Sequence, residues 1–107
     1  MKANKMEDKN EIILAECESI IASVENVYDL VEDDSILDNE GFIEIRHIAE
    51  TIQQCIMDNN DIEEISIELY QTVKYTTETL QENITNFNIL SEFFRIRTST
   101  INIRALV

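Results

Sequence analysis

Apolar side chains recur at steps of three and four residues along most of the chain, which is the period of amphipathic helices. The first segment with this pattern covers residues 11–32, the second covers 42–57 and the third covers 61–94. Each is long enough to form a helix of its own. The apolar positions of the first two segments are Ile13, Cys17, Ile20, Val24, Val27 and Val31, followed by Ile45, Ile48, Ile52 and Ile56.

The third segment is predicted to be one long helix. Its stripe repeats about every 3.6 residues, and a helix over 61–94 would be about 50 Å long. Asn60 and Glu63 have the spacing of a capping box at its start. A helix of this length must project, pair with a second chain or kink, and the Thr-rich stretch 72–79 is the expected place of a kink. Its stripe is Ile62, Ile65, Leu69, Val73, Thr76, Leu80, Ile84, Phe87, Ser91 and Phe94.

Residues 95–107 are rich in β-branched side chains, and their apolar and polar residues alternate more than they follow the helical period. A strand, an extended arm and a frayed helix therefore all remain open for this segment. With no Pro and one Gly, the chain lacks the turn signals of a β-sandwich. The predicted fold is therefore all-α, as one acidic helical domain over residues 1–107. We expect a three-helix antiparallel bundle whose first two helices pack on the long third, which is long enough to pair with a second chain.

Charge is distributed unevenly along this chain of 107 residues, whose formal net charge is -14. Residues 1–92 hold all 22 carboxylates with five of the eight Lys and Arg residues, whereas residues 93–107 carry Arg95, Arg97 and Arg104 and no acid. An acidic body of this kind repels nucleic acids and anionic membranes. We expect a basic protein surface as its partner, or the Arg-bearing tail of another copy. Acidity that serves solubility alone is the alternative.

The connection between the first two segments resembles part of an EF-hand calcium loop. Residues 36–44 place Asp38 and Glu40 at two ligand positions, but Ile36 and His47 occupy positions that need strong oxygen ligands. We therefore expect an ordinary helix junction and no metal site.

Other chemical motifs are sparse. Cys17 and Cys55 could pair in principle, but both lie on apolar faces and are expected to be buried hydrophobic residues. His47, the only histidine, is expected on the surface of its helix. The chain has no Gly-rich nucleophile turn, no CxxC motif and no recognisable Cys–His pair. We predict a non-enzymatic protein without a cofactor, and a cytoplasmic one because no apolar run approaches the ~20 residues of a membrane span.

Residues 61–89 finish in the sequence Phe87-Asn-Ile89. Before this finish, an acid–amide pair is flanked by small hydroxyl residues: Thr77, Gln81, Glu82 and Thr85. The stretch resembles the closing cytoplasmic helix of bacterial methyl-accepting chemotaxis receptors, which signal to a histidine kinase through a long dimeric coiled-coil hairpin. A chain with one Gly lacks the glycine-rich tip of that family. The resemblance therefore implies a helical, dimer-forming segment rather than a receptor.

The charge pattern predicts a protein-binding module that neutralises or inhibits a basic partner. Immunity proteins, antitoxins and small phage-type inhibitors that occupy a nucleic-acid-binding groove are of this class. Its predicted contact residues are Glu32, Asp33, Asp34, Asp38, Glu40, Glu63, Glu64 and Glu68. The alternative is a self-associating signalling or structural module that resembles part of a chemotaxis receptor coiled coil. Its predicted self-association residues are Leu69, Val73, Leu80, Ile84, Phe87, Arg95 and Arg97.

Overall fold

The computed structural model describes residues 5–31 and 40–107. In these residues it contains helices and no strand, so the all-α prediction is confirmed, whereas the number of helices is four instead of three. The helices are α1 (Lys5–Leu30), α2 (Glu40–Met57), α3 (Glu63–Gln81) and α4 (Phe87–Leu106).

The predicted long third helix is wrong, because the chain turns at residues 82–86 and forms two helices. The amides of Asn83 and Ile84 donate to the last turn of α3, and the Asn86 side chain caps α4 by accepting from the amide of Asn88 at 2.9 Å. Ile84 lies in this turn, yet it is buried against the core. The apolar stripe therefore continues across the break in the helix. The break is at this turn, and α3 is helical through the expected kink region 72–79.

Residues 95–107, whose conformation the sequence left open, form most of helix α4 and not a strand or an arm. Their alternation arises because the helix is apolar on two sides: Ile103 is fully buried whereas Ile101 is mostly exposed. The Thr100 hydroxyl donates to the carbonyl of Arg97 at 2.7 Å, so this β-branched residue satisfies its polar group within the helix.

Each helix packs against two neighbours: α1 against α2 and α4, and α3 against the same two. Side-chain contacts give the helix directions. Gln53 donates to Glu18 and Arg46 pairs with Glu25, so α2 runs antiparallel to α1. Asn26, late in α1, donates to Glu92, early in α4, so α4 runs antiparallel to α1. Arg104, late in α4, donates to Ser66, early in α3, so α4 is antiparallel to α3 as well. The described residues therefore form a four-helix bundle in which sequential helices alternate in direction.

The core runs along the axis of this bundle, whose extents are 51 × 22 × 19 Å. Phe42 is fully buried near one end of the core, in contact with Tyr28 at a ring-centroid distance of 6.4 Å and with Phe93 at 5.4 Å. Helix α4 supplies one complete side of the core, so its burial stabilises the other three helices. The fully buried large side chains include Ile20, Val24, Val27, Ile45, Ile52, Leu69, Val73, Ile96 and Ile103.

The short connection between α2 and α3 differs from the predicted capping box. Asp61 Oδ1, not the Asn60 side chain, accepts from the amide of Glu63 at 3.2 Å, and Ile62 at the N-cap position makes no side-chain capping bond. Asn59 has φ 59, a left-handed conformation that asparagine adopts more readily than most residues.

Candidate functional site

The acidic residues predicted to contact a partner do not form one surface. Glu32, Asp33, Asp34 and Asp38 lie outside the described residues. Glu40 is exposed at the start of α2, and Glu63, Glu64 and Glu68 are exposed near the start of α3. Because α2 and α3 are antiparallel, these two groups lie at opposite ends of the bundle.

A different set of carboxylates forms a continuous surface, which we call the acidic face: Glu11, Glu18, Glu25 and Asp29 of α1 with Glu50 of α2. All five residues are exposed. Steps of seven, seven and four residues keep the α1 members on one side of the helix, with glutamates about 10.5 Å apart along its axis. The seven-residue spacing was visible in the sequence, whereas the addition of Glu50 required the α1–α2 packing.

Arg46 is the cation within the acidic face. Its side chain lies 3.3 Å from Glu25 and 3.1 Å from Glu50, and the Gln53 amide donates to Glu18 at 2.9 Å. Exposed pairs of this kind contribute at most about 1 kcal/mol to stability. They do orient the carboxylates, and the face keeps a clear excess of negative charge.

A shallow cleft between α1 and α2 runs through the same surface. Leu14, Ala15 and the exposed Met57 line it together with Glu18 and Glu50. Apolar atoms beside carboxylates suit lysine and arginine side chains, which have an apolar stem and a charged end. The cleft can therefore accept both parts of a basic side chain.

The arginines near the C-terminus belong to helix α4 and not to a mobile docking segment. Arg104 Nη1 donates to the Ser66 hydroxyl at 3.0 Å, which ties α4 to α3. The Arg95 guanidinium lies 3.8 Å from Glu92 and is exposed, and the half-buried Arg97 lines a small cleft beside Tyr70.

Most of the predicted self-association residues face the interior. Leu69, Val73 and Ile84 are buried in the bundle core, and Leu80 is partly buried against it. Among the apolar members Phe87 is the exception, because it is exposed on the outer side of α4, and Arg95 of the same set is exposed as well. A helix–helix contact between two chains through these buried residues would require the bundle to open.

Glu92 is a buried carboxylate that sequence reasoning did not single out. It accepts from the Asn26 amide at 3.0 Å and from the buried Ser23 hydroxyl at 3.4 Å, both on α1. These donors, together with Arg95, make it a polar link between α1 and α4. Only the folded packing of α1 on α4 identifies it.

Neither cysteine forms a disulfide. Cys17 is fully buried, and burial with the nearby Glu16 and Glu18 raises the pKa of its thiol to about 12. Cys55 is partly buried and His47 is exposed on α2. In the part of the chain that the structure describes, no group of three or more His, Cys, Asp or Glu side chains could hold a metal ion.

Within residues 5–31 and 40–107, none of the helices combines the length and the apolar character needed to cross a membrane. The stretch 61–89 that resembles a chemotaxis receptor helix comprises α3, the turn and the start of α4. Comparison of the chain with protein-family models, with curated proteins and with solved structures finds no match.

Proposed function

We propose that this protein is a non-enzymatic binding module whose acidic face binds a basic protein surface and thereby neutralises or inhibits it. One observation carries the proposal: Glu11, Glu18 and Glu25 are exposed in a row beside Glu50 and a cleft lined partly by Met57. Opposite charges arranged in this way steer association and fix the register of a partner.

The spacing of the carboxylates favours a protein surface as the partner over mimicry of nucleic acid. Glutamates on α1 lie about 10.5 Å apart, which is the separation of Lys or Arg side chains at seven-residue steps on another helix. Duplex DNA carries one charge per about 1.7 Å of axis, several times denser than this row. A cationic helix or a basic groove of comparable length matches the row better.

Two variants with the same change in net charge test the location of this surface. The first replaces Glu11, Glu18, Glu25 and Glu50 by Gln. The matched control replaces four exposed carboxylates of α3 by Gln: Glu63, Glu64, Glu68 and Glu78. The probe is a helical peptide with Lys or Arg at seven-residue steps, and fluorescence anisotropy measures its Kd.

We expect the first variant to raise the Kd about tenfold or more at 50 mM salt, because four exposed pairs each contribute up to about 1 kcal/mol. The α3 control should change the Kd less than about threefold, because it removes the same charge from another surface. Equal weakening in both variants would contradict a localised acidic face. A Kd for the unmodified chain that stays constant between 50 and 300 mM salt would contradict charge-led binding.

A self-associating helical module is the second candidate function. Leu69, Val73 and Ile84 are buried, so they are not available to contact a second chain as this candidate predicted. Phe87 is exposed, so the outer side of α4 is accessible to a second chain. That candidate therefore depends on a surface of α4.

A further inference from the structure

Helix α4 carries a second apolar stripe on the side that faces away from the core. Its members, which we call the outer row, are Phe87, Ser91, Phe94, Thr98, Ile101 and Ala105. Phe87, Phe94 and Ile101 are 77%, 71% and 56% exposed, so the bundle leaves most of their surface uncovered. The buried side of α4 is formed by other residues, including Ile89, Ile96 and Ile103.

The spacing of the outer row is that of a helix–helix seam. Successive members lie four, three, four, three and four residues apart, which is the heptad alternation of a coiled coil. Large apolar residues occupy one heptad position, namely Phe87, Phe94 and Ile101. The small residues Ser91, Thr98 and Ala105 occupy the other heptad position, so large and small side chains alternate along the row.

The row is complementary to itself when two copies run antiparallel. With a two-fold axis at the level of Ile96, Phe94 faces the partner's Thr98, and Ile101 faces the partner's Ser91. Phe87 faces the partner's Ala105 in the same register. Every layer then contains one large and one small residue, which is the arrangement that packs without voids or overlap.

The charge of this surface opposes a second copy at low salt, so the contact depends on apolar packing. Two chains of net charge -14 repel. Helix α4 itself adds no exposed carboxylate because its one acid, Glu92, is buried, but Glu16 of α1 lies beside the row, where it accepts from the Asn102 amide. The cations beside the row are Lys74 of α3 with Arg95 and Arg97 of α4, and the two arginines come near their own counterparts at the axis. Both the repulsion of the acidic bodies and that of the arginines weaken as salt is added.

We propose that the outer row is the interface of an antiparallel homodimer. This inference rests on the second candidate function and not on the binding of a basic partner. The acidic face lies on the side of α1 next to α2, where Glu18 and Glu25 contact Gln53 and Arg46, whereas α1 contacts α4 through Ser23 and Asn26. Each dimer then keeps two acidic faces away from its interface, so it presents two binding surfaces to basic partners.

Sedimentation of the full chain between 5 and 500 µM tests the interface. We expect a concentration-dependent dimer that strengthens as salt rises from 50 to 500 mM. Phe94→Ala should raise the dimer dissociation constant about 100-fold, because the symmetric interface loses the same ring twice. Ile43→Ala, which removes an exposed apolar residue of α2, is the control and should leave association unchanged.

A second substitution tests the register. Thr98→Phe places two large residues in one layer and should weaken the dimer, whereas the double variant with Phe94→Ala should restore most of it. A nonspecific apolar patch would instead associate more strongly after Thr98→Phe, and that result would overturn the register. A chain that sediments as a monomer at 500 µM in high salt would overturn the dimer, without bearing on peptide binding by the acidic face.

Discussion

The helical tail makes a quantitative prediction at Ile103. This side chain is 0% exposed on α4, so Ile103→Ala removes buried methyl groups and leaves a cavity. Such changes cost about 2–5 kcal/mol. A domain of this size has a free energy of unfolding of about 5–15 kcal/mol, so the loss is a large fraction of the total.

Ile101 is the matched control, because it lies on the same helix but is 56% exposed. Ile101→Ala should change the free energy of unfolding by less than about 0.5 kcal/mol. Urea unfolding followed by circular dichroism measures both variants, and the midpoint for Ile103→Ala should fall by about 1–3 M with an unchanged slope. Measurement at a few micromolar, repeated at tenfold higher concentration, separates folding from association through the outer row.

Equal effects of the two substitutions would refute this account of the tail. A frayed or extended segment would bury neither isoleucine, and both variants would then unfold close to the unmodified chain. An Ile101→Ala loss as large as that of Ile103→Ala would instead show that the helix is rotated from the described register.

Three further predictions concern single side chains. Asn86→Ala removes the N-cap of α4 and should lower the free energy of unfolding by about 0.5–2 kcal/mol, measured by urea unfolding. Glu92→Ala should lower it by about 1–3 kcal/mol in the same assay, because the buried Ser23 hydroxyl loses its acceptor; no loss would contradict the polar link. Cys17 should resist a thiol reagent in the folded chain while Cys55 reacts faster, and unfolding should expose both. Because burial raises the pKa of Cys17 from 9.0 to about 12, its contribution to stability is present below pH 9 and is lost as the pH rises through 12.

The helical character of the first three segments was predictable from the sequence, because their buried residues recur at the helical period. The division at 82–86 was not, because the buried Ile84 keeps the apolar spacing intact across the turn. The Asn86 cap was a local signal of a new helix start. This signal was overlooked because Phe87 has the spacing of the apolar stripe of residues 61–94. In the structure Phe87 is exposed on the side of α4 that faces away from the core.

The candidate surfaces depended more on tertiary structure. Glu11, Glu18 and Glu25 share a helix side that spacing alone reveals. Their association with Glu50 and the cleft beside Met57 arises only when α1 packs on α2. The charge pattern put Glu40 in one predicted contact set with the early acids of α3, but antiparallel packing separates them. Local charge counts could not detect this, because distance between helices depends on their direction.

Nuclear magnetic resonance titration of the full chain with the basic helical peptide tests the central proposal most directly. Amide signals report the contacted surface residue by residue, without altering any side chain. We predict that shift changes concentrate on the exposed side of α1 between Glu11 and Asp29 and on α2 near Glu50, and that they diminish as salt is added. Changes centred on α3 or α4, or spread evenly over all the helices, would contradict the proposal that the acidic face is the binding surface.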